Sequence, residues 1–568
     1  MATTVTVDAA LLRAWSAGAA AALRGASAEL DLLNVFPVPD GDTGTNLALT
    51  LAEAADAVGA LGPDVGVREA ARVMLRGALV GARGSSGVIV SEYLRGLVGS
   101  LRVPADAAAA HVGAGAVARA LDDASGAAYR AVGAPVEGTV LTVARAGARR
   151  APPPGARGPR AAAAPVDVLA AGLEAGRGAL ALTPTQLPAL ERAGVLDAGG
   201  AGLLVVLGAL LACLDPARAG GPGVGVDLGT APATGPRAAG GSGCDAAAGH
   251  TLVAEPGATP DALRERHGGE FEVMYVVEAT DQADRTAGAA EPAATRAAAA
   301  DVPGDALREA LGRTGDSVAV VGGDGLWQAH VHTDDPVAAV AAAAVAGTAS
   351  EVRVRHLASQ SGVHGAHRPV VGVVAVTAAP GLVADLARAG AVVVLVLPGS
   401  SAGGAVRRAV ADTGALDVVV LAGAAGGAVH GVDDRPDAPR TVVLDALLEV
   451  QVVVGAATLA ASAGADGAGA PGPAGEAVAD LVRAVRGVRT AVVPPGAVGG
   501  GGHAGAVLAA TDDLLRAGGG LVTVLTGAAT APGVADEVVR GLAAAHPEVD
   551  VVVLPAGTAG ADVTVGVE

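Results

Sequence analysis

The sequence predicts a multidomain protein with an all-α N-terminal domain, a small α+β middle domain and an α/β C-terminal domain. Apolar residues recur at three- and four-residue spacing up to residue 215, which is typical of amphipathic helices. Short strand-like runs replace this spacing from residue 269, and Val-rich runs alternate with helical stretches from residue 369. The length of 568 residues is also consistent with about three domains.

The N-terminal domain, residues 1–215, is predicted to consist of amphipathic helices. Asp8, Ser86 and Asp106 have the residue type and the position of helix N-caps. The most membrane-like stretch, Ala198 to Leu214, is short for a bilayer span and contains several glycines, so a buried helix is expected there. The other predicted helices run from Leu11 to Leu33, Leu47 to Val58, Val67 to Val80, Ser86 to Leu101, Asp106 to Val132, Ala163 to Leu182 and Leu187 to Ala193.

The rest of the chain divides by composition and by period. Residues 216–258 are rich in Gly, Ala, Pro, Asp and Thr, which predicts a flexible linker. Residues 259–365 form the α+β middle domain, and residues 369–568 form the α/β C-terminal domain, where continuous apolar runs predict a parallel sheet buried on both faces. The predicted strands run from Phe271 to Val277, Asp316 to Val321, Trp327 to His332, Val370 to Val376, Ala391 to Leu397, Leu416 to Leu421, Thr441 to Leu444, Thr490 to Val493, Leu521 to Leu525 and Val549 to Leu554.

The composition excludes several classes of function. A net charge of −19 argues against a nucleic-acid partner, which would need a basic protein surface. The chain contains no lysine, which excludes a Walker A loop, a protein-kinase active site and Schiff-base catalysis. Neither a signal peptide nor a transmembrane segment is predicted, so a cytoplasmic location is expected. Cys213 and Cys244 form no CxxC pattern and predict no disulfide framework.

One short segment retains residue types that the rest of the chain has lost. The only two asparagines, Asn34 and Asn46, bound this segment, which also contains Phe36, one of only two phenylalanines. Elsewhere the composition has shifted towards Ala, Gly, Val, Arg and Pro. Retention of these residues in one place indicates a working site at residues 34–46.

The chemistry of this segment points to a metal ion and to phosphate. Asp40 and Asp42 place two carboxylates close together on a turn, and such hard oxygen ligands suit Mg²⁺. Thr43, Thr45 and Asn46 supply hydroxyl and amide groups at the start of the next helix, where anions are stabilised. The simpler alternative is an Asp-Gly turn that only caps a helix.

A second segment, Gly81 to Gly87, is a Gly-rich loop that leads into an apolar helix. Ser85 and Ser86 stand where the helix begins, and exposed N–H groups at such a position can bind phosphate. The glycines of this loop are weak support by themselves, because glycine is common throughout the chain.

Two further stretches, Pro135 to Thr142 and Asp197 to Gly202, complete a set of four motifs. In this order the set resembles the L-subunit domain of dihydroxyacetone kinases, and specifically the fatty-acid kinase A family, which carries that domain at its N-terminus. The resemblance is most specific within residues 1–215. It implies a closed barrel of amphipathic helices, with Mg-ATP bound in the loops at one end.

The resemblance also implies roles for residues of the four motifs. Asp40 and Asp42 would hold the Mg²⁺ ions that bridge the phosphates, and Asn34 is the nearest counterpart of a third aspartate in the sugar kinases. Thr139 would support the nucleotide, and Asp197 to Gly200 would cover the adenosine. The implied catalytic residues are Asp40, Asp42 and Thr43, and the implied nucleotide-binding residues are Asn34, Thr43, Gly44, Thr45, Asn46, Gly84, Ser85, Ser86, Gly87, Thr139, Asp197, Ala198 and Gly199.

The activity implied by the resemblance is that of an ATP-dependent kinase subunit. Its acceptor would be the carboxylate of a fatty acid presented by a DegV-type binding protein, and its product would be an acyl phosphate. A carboxylate is already an anion at neutral pH, so the transfer needs no general base. Two alternatives are a Mg-nucleotide-binding scaffold without turnover and a glycerone-type small-polyol kinase, which the lack of a covalent-histidine substrate subunit disfavours. A homodimer is one alternative for the oligomeric state.

The resemblance is weaker beyond the first domain. His330 and His332 lie on a predicted strand with their side chains on one face, as a Zn²⁺ site would require. In the family a cysteine on an earlier strand completes this site, whereas here Glu272 stands at the corresponding position. The alternative is a structural histidine pair that is hydrogen-bonded to nearby carboxylates. In the C-terminal domain, the loops Pro398 to Gly403 and Ala422 to Gly427 replace the Asn-containing loops of the family.

Overall fold

The chain forms two compact units, Met1–Gly269 and Glu270–Glu568. The computed structural model describes residues 4–101, 107–150, 164–218, 269–280, 302–360, 371–423, 438–465, 474–496 and 502–568. Most of the predicted linker at 216–258, the predicted N-cap Asp106 and Cys244 lie outside these ranges.

The described part of the first unit is helical apart from one two-stranded sheet, which confirms the predicted helical N-terminal region. The strands β1 (Thr4–Asp8) and β2 (Ala109–Gly113) pair in antiparallel fashion. The helices are α1 (Ala9–Leu32), α2 (Thr43–Gly59), α3 (Val67–Val80), α4 (Gly84–Gly99), α5 (Ala114–Ala131), α6 (Val140–Arg150), α7 (Pro165–Leu180), α8 (Pro188–Ala193) and α9 (Ala198–Leu214).

A core of Leu, Val and Ala side chains holds the first unit together. Helix α1 packs against both α2 and α9, so helices from the two ends of the unit are neighbours. The indole N–H of Trp15 on α1 donates to the carbonyl of Val206 on α9 at 3.0 Å, which satisfies a buried donor at this contact. Asp8 caps α1 as predicted, because its carboxylate accepts the N–H of Leu11 at 2.8 Å. Closure of the helices into a barrel stays a prediction.

Two predicted helix starts in the first unit are wrong. The helix predicted from Asp106 begins at Ala114, because residues Ala109–Gly113 form β2 against β1. Ala110 and Val112 are buried while His111 is exposed, which is the two-residue period of a strand, and the pairing overrides the helix propensity of alanine. The fourth helix begins at Gly84 with Arg83 at its N-cap, so Ser86 lies inside the helix instead of capping it.

The second unit contains a mixed eight-stranded sheet with the strand order β10-β9-β7-β8-β6-β3-β5-β4. Four strands pair in parallel at one side, four pair in antiparallel fashion at the other, and the antiparallel pair of β6 and β8 joins the two halves. The sheet therefore takes strands from both sides of the predicted boundary at residues 365–369. Its strands are β3 (Phe271–Glu278), β4 (Gly315–Gly323), β5 (Leu326–Thr333), β6 (Thr348–His356), β7 (Gly372–Thr377), β8 (Val392–Leu395), β9 (Asp417–Gly423) and β10 (Arg440–Leu447).

The C-terminal strands form a separate four-stranded sheet with the order β11-β14-β12-β13. These strands are β11 (Arg489–Val493), β12 (Leu521–Thr526), β13 (Asp550–Pro555) and β14 (Val563–Val567). Only β12 and β13 pair in parallel, since β14 runs antiparallel to both β11 and β12. The prediction of one parallel sheet for residues 369–568 is therefore wrong, because the pattern of apolar runs did not identify β14 or the partner of each strand.

Helices surround both sheets of the second unit. They are α10 (Val302–Leu311), α11 (Pro336–Ala341), α12 (Leu357–Gln360), α13 (Val383–Arg388), α14 (Gly403–Asp412), α15 (Glu449–Ala465), α16 (Ala474–Gly487), α17 (Gly502–Leu515) and α18 (Val534–Ala545). In the described residues of both units, every helix is too short or too polar to cross a membrane.

Candidate functional site

The N-termini of α2 and α4 meet at one end of the helical unit. The hydroxyl oxygens of Thr43 and Ser86 lie 3.5 Å apart, and each belongs to the first turn of its helix. The amide of Asn46 lies against Gly84, where an added Cβ would come within 2.5 Å of Asn46 Nδ2. The structure thus brings together two of the motifs that are far apart in the sequence.

Thr50, which the sequence interpretation missed, holds these two helix starts in place. Its buried hydroxyl donates to the carbonyl of Asn46 at 2.7 Å and accepts the N–H of Arg83 at 3.1 Å. The guanidinium of Arg83 is buried, donates to the carbonyl of Gly81, and lies 3.6 Å from Glu53. The only sequence signal for Thr50 was its position one helical turn after Asn46.

The N-termini of α6 and α9 meet in the same manner. The carboxylate of Asp197 caps α9 by accepting the N–H of Gly200 at 2.6 Å, and it also accepts the N–H of Val140 at the start of α6. Gly199 lies next to Val140, and the Cβ of an alanine in its place would be 3.3 Å from the Cβ of Val140. Ala198 and Gly199 are buried in this first turn of α9.

All four helix starts lie at one end of the unit. Gly202, in the second turn of α9, is packed so closely on Leu47 of α2 that an added Cβ would overlap the leucine side chain. This contact joins the α6/α9 pair to the α2/α4 pair. Because each helix N-terminus carries a partial positive charge and unpaired N–H groups, their convergence makes this end of the unit favourable for an anion.

The acidic residues of the 34–46 segment lie beside this anion-favouring end. The side-chain amide of Asn34 donates to Asp40, and both residues precede α2. Asp42 is only 6% exposed and stands at the N-cap of α2, where its carbonyl accepts the N–H of Asn46 at 2.8 Å. Carboxylate and hydroxyl oxygens from Asp40, Asp42 and Thr43 are the donor types that Mg²⁺ prefers, so the residues present fit this ion.

Two residues assigned to nucleotide binding have structural partners. The N–H and the hydroxyl of Thr45 donate to the carboxylate of Asp31 at 3.0 and 2.7 Å, so this hydroxyl hydrogen is already used. Gly44 faces α1, where an added Cβ would overlap the carbonyl of Ser27 and lie 2.7 Å from the Cβ of Leu30. A role for Thr45 and Gly44 in nucleotide binding stays a prediction.

Asp31, in the last turn of α1, was also missed by the sequence interpretation. Burial raises its pKa, the charge of Asp42 raises it further, and the hydrogen bonds from Thr45 oppose both effects. The influence of Asp42 shows that Asp31 lies close to the predicted metal site. No local pattern distinguished Asp31 from other helical acids, because its partner lies 14 residues further along the chain.

The loop before α6 is held by a cluster around Glu137. Its carboxylate accepts the hydroxyls of Thr142 and Tyr129 at 2.5 and 3.1 Å and forms an ion pair of 2.5 Å with Arg145. Burial would raise the pKa of Glu137, but the hydrogen bonds from Thr142 and Arg145 outweigh it and lower this pKa. The hydroxyl of Thr139 donates to the carbonyl of Val136 at 2.7 Å, which fixes the turn into α6.

The second unit holds a buried cluster of Glu272, His330 and His332, as the sequence predicted. Their candidate ligand atoms lie within 4.8 Å of one another. A closed structural zinc site takes four protein ligands, but in the described part of the chain this group has three. The guanidinium of Arg355 also contacts Glu272 at 2.5 Å. The donor set therefore does not fit such a zinc site.

Comparisons with known proteins agree with the order of these sites along the chain. The model of the DAK2 domain matches residues 37–212, and the model of the FakA-like middle domain of fatty acid kinases matches residues 269–363.

Proteins with similar sequences match mainly in the first of these regions. Protein YloV of Bacillus subtilis (strain 168) is 40% identical over 201 residues, which are 35% of this chain and 34% of that protein. An uncharacterized protein of Staphylococcus saprophyticus is 39% identical over 186 residues, or 33% of this chain and 32% of that protein. The matched region thus spans about a third of the length of these relatives. With a DAK2 domain followed by a FakA-like middle domain, the chain belongs to the fatty-acid kinase A family.

Proposed function

We propose that this chain is an ATP-dependent kinase subunit that phosphorylates the carboxylate of a fatty acid presented by a DegV-type binding protein, giving an acyl phosphate. The observation that carries the proposal is the meeting of four helix N-termini beside Asp40 and Asp42. Phosphoryl transfer depends mainly on positioning and on charge neutralisation, and this end of the unit offers both without any lysine.

In this proposal Asp40 and Asp42 hold Mg²⁺, which neutralises charge on the phosphates when bound. The hydroxyls of Thr43 and Ser86 donate to phosphate oxygens, and the 3.5 Å between them lets both reach one phosphate group. N–H groups in the first turn of α4, including those of Ser85 and Ser86, supply further donors.

The α6/α9 pair would bind the nucleoside end of ATP. Thr139 supports the nucleotide from the turn before α6, and the first turn of α9, from Ala198 to Gly200, covers the adenosine. We also propose that the helices α1 to α9 of the first unit close into a barrel, with these loops at one rim. The neighbouring positions of α1 and α9 support this closure.

The proposal is tested by mixing the purified chain with a DegV-type protein loaded with oleate, adding Mg-ATP, and trapping acyl phosphate as its hydroxamate. Hydroxamate that depends on all three components is expected. A chain that binds Mg-ATP but gives no hydroxamate would overturn the kinase assignment in favour of the nucleotide-binding scaffold.

Replacing Asp42 tests the metal assignment separately. Asp42→Ala removes a buried carboxylate beside the helix starts, so Mg-dependent ATP binding is expected to weaken at least ~100-fold while the helical content is unchanged. Asp64→Ala, an exposed aspartate between α2 and α3, is the control and should bind as the unmodified chain does. Titration calorimetry with Mg-ATP gives both affinities, and an unchanged affinity for Asp42→Ala contradicts the assignment.

A further inference from the structure

A row of charged and imidazole side chains crosses three neighbouring strands of the large sheet. Glu272 on β3 lies directly opposite His332 on β5 and directly opposite Arg355 on β6. Residues opposite one another in adjacent strands project from the same face, so these three side chains are neighbours. His330, two residues before His332 on β5, projects from that face as well.

Both oxygens of the Glu272 carboxylate are engaged within this row. Oε2 accepts from Arg355 at 2.7 Å from Nε and 2.5 Å from Nη2, which is a close two-nitrogen contact. Oε1 lies 3.1 Å from Nε2 of His330. The rings of His330 and His332 pack edge to face, with their centroids 4.9 Å apart.

The row is buried, which makes its charge balance decisive. Glu272, His330 and His332 are at most 4% exposed, and the Arg355 side chain is 12% exposed. A carboxylate buried this deeply needs a positive partner within hydrogen-bond distance. A metal ion or a guanidinium can meet that need, and here Arg355 already does.

We infer that Arg355 takes the place of a metal ion in this cluster, so that Glu272, His330, His332 and Arg355 form a metal-free lock across β5, β3 and β6. A divalent cation bound by Glu272 and the two histidines would sit a few ångströms from a guanidinium that cannot lose its proton. The two positive charges would repel each other in a buried site. The inference concerns the second unit alone and does not depend on the proposed kinase activity.

The first test is the metal content of the untagged, full-length chain purified from zinc-containing medium. Mass spectrometry should find less than about 0.1 zinc per chain, and neither EDTA nor added Zn²⁺ should change Tm. Zinc near one equivalent per chain, lost with EDTA together with a fall in Tm, overturns the inference.

The second test removes the guanidinium while keeping a long apolar side chain. Arg355→Met leaves Glu272 without its cation and should lower Tm by about 5–10 °C. The variant should then bind about one Zn²⁺ per chain, and Zn²⁺ should restore most of the lost Tm. A folded Arg355→Met chain that ignores Zn²⁺ contradicts the claim that Arg355 keeps the metal out.

Two further variants make this result specific. Arg353→Met removes an equally buried arginine from the same strand, but Arg353 pairs with Asp412 and has no histidine in its ion pair, so Zn²⁺ should not restore its Tm. Arg355→Lys keeps a cation near Glu272 and should remain metal-free. Zinc binding by Arg355→Lys at the level of Arg355→Met overturns the inference, and this variant also serves if Arg355→Met does not fold.

Discussion

Asp197 is a fully buried acid at the start of α9, and burial raises its pKa from 3.8 to about 7 against the opposing hydrogen bonds from Gly200 and Val140. The folded chain therefore holds a proton on this group at pH values where the unfolded chain does not. Between about pH 4 and pH 7 the folded state binds more protons than the unfolded state, so this group's contribution to stability falls as the pH rises. The full effect is on the order of 4 kcal/mol.

We predict that Asp197→Asn removes this pH dependence. Asparagine keeps one acceptor for the N–H groups of α6 and α9 but cannot ionise, so the variant should lose about 1 kcal/mol of local stability at pH 5 through the lost acceptor. It should be at least as stable as the unmodified chain at pH 8. Hydrogen exchange of α6 and α9 amides, corrected for intrinsic pH dependence, gives the opening free energies. Asp122→Asn, at an exposed position on α5, should keep the original slope, and a slope that survives in Asp197→Asn refutes the prediction.

The sequence identified residues of the site where the chemistry is local, and it failed where a partner comes from another helix. Asp40, Asp42 and Thr43 follow one another closely, so their shared position needed no knowledge of packing. The role of Thr45 could not be predicted in the same way, because its hydrogen-bond partner Asp31 belongs to the end of α1. Which hydroxyls face a ligand and which face a neighbouring helix is decided only when the helices pack.

The contact of α1 with α2 depends on the absence of a side chain at Gly44. An added methyl group would overlap the carbonyl of Ser27 and press on Leu30, and neither can move without displacing α1. The start of α2 therefore sits close to α1 for a packing reason, and this position also sets where Asp42 and Thr43 lie.

We predict that Gly44→Ala lowers the free energy of unfolding of the first unit by about 1–3 kcal/mol, since overpacking forces the two helices apart. Gly18→Ala is the matched control. Gly18 lies inside α1 with nothing within 4 Å of an added Cβ, so alanine should stabilise the helix by about 0.5–1 kcal/mol. Urea denaturation followed by far-UV circular dichroism measures both variants. Equal effects of the two substitutions would contradict the packing argument.

Helices were predicted more completely than strands because their hydrogen bonds are local. The helix Val67–Val80 has the predicted ends, and most others differ from prediction by a few residues. In contrast, β2 was assigned to a helix, because its partner β1 lies about a hundred residues earlier in the chain. β6 and β14 were missed as well, and each pairs with strands far away in sequence.

Hydrophobic cores show which stretches of the chain depend on one another. One core cluster draws only on residues of the first unit, from Val7 to Leu211. Another begins at Phe271 and continues to Ala556, and so includes side chains from both sides of the predicted boundary at residues 365–369. The predicted middle domain therefore shares its core with the C-terminal part of the chain.

Ion pairs cross the same boundary. Arg353 on β6 pairs with Asp412 at the end of α14, and each of these side chains is only 4% exposed. Arg408 on α14 pairs with Glu351 on β6 at 2.8 Å. A chain that ended at residue 365 would leave Arg353 without its carboxylate and β6 without its partner β8. Breaking one buried ion pair costs about 3–5 kcal/mol, and an open edge strand favours aggregation.

We therefore predict that the chain divides into two folding units and not three. A fragment of residues 1–218 should fold alone and bind Mg-ATP, and residues 269–568 should fold as one piece, because each keeps its core cluster intact. A fragment of residues 269–365 should fail to give a monomeric, cooperatively melting species. Size-exclusion chromatography with thermal melts by circular dichroism distinguishes these outcomes. If the short fragment melts cooperatively as a monomer, then β3–β6 do not need the parallel half of the sheet, and the predicted middle domain is an independent unit.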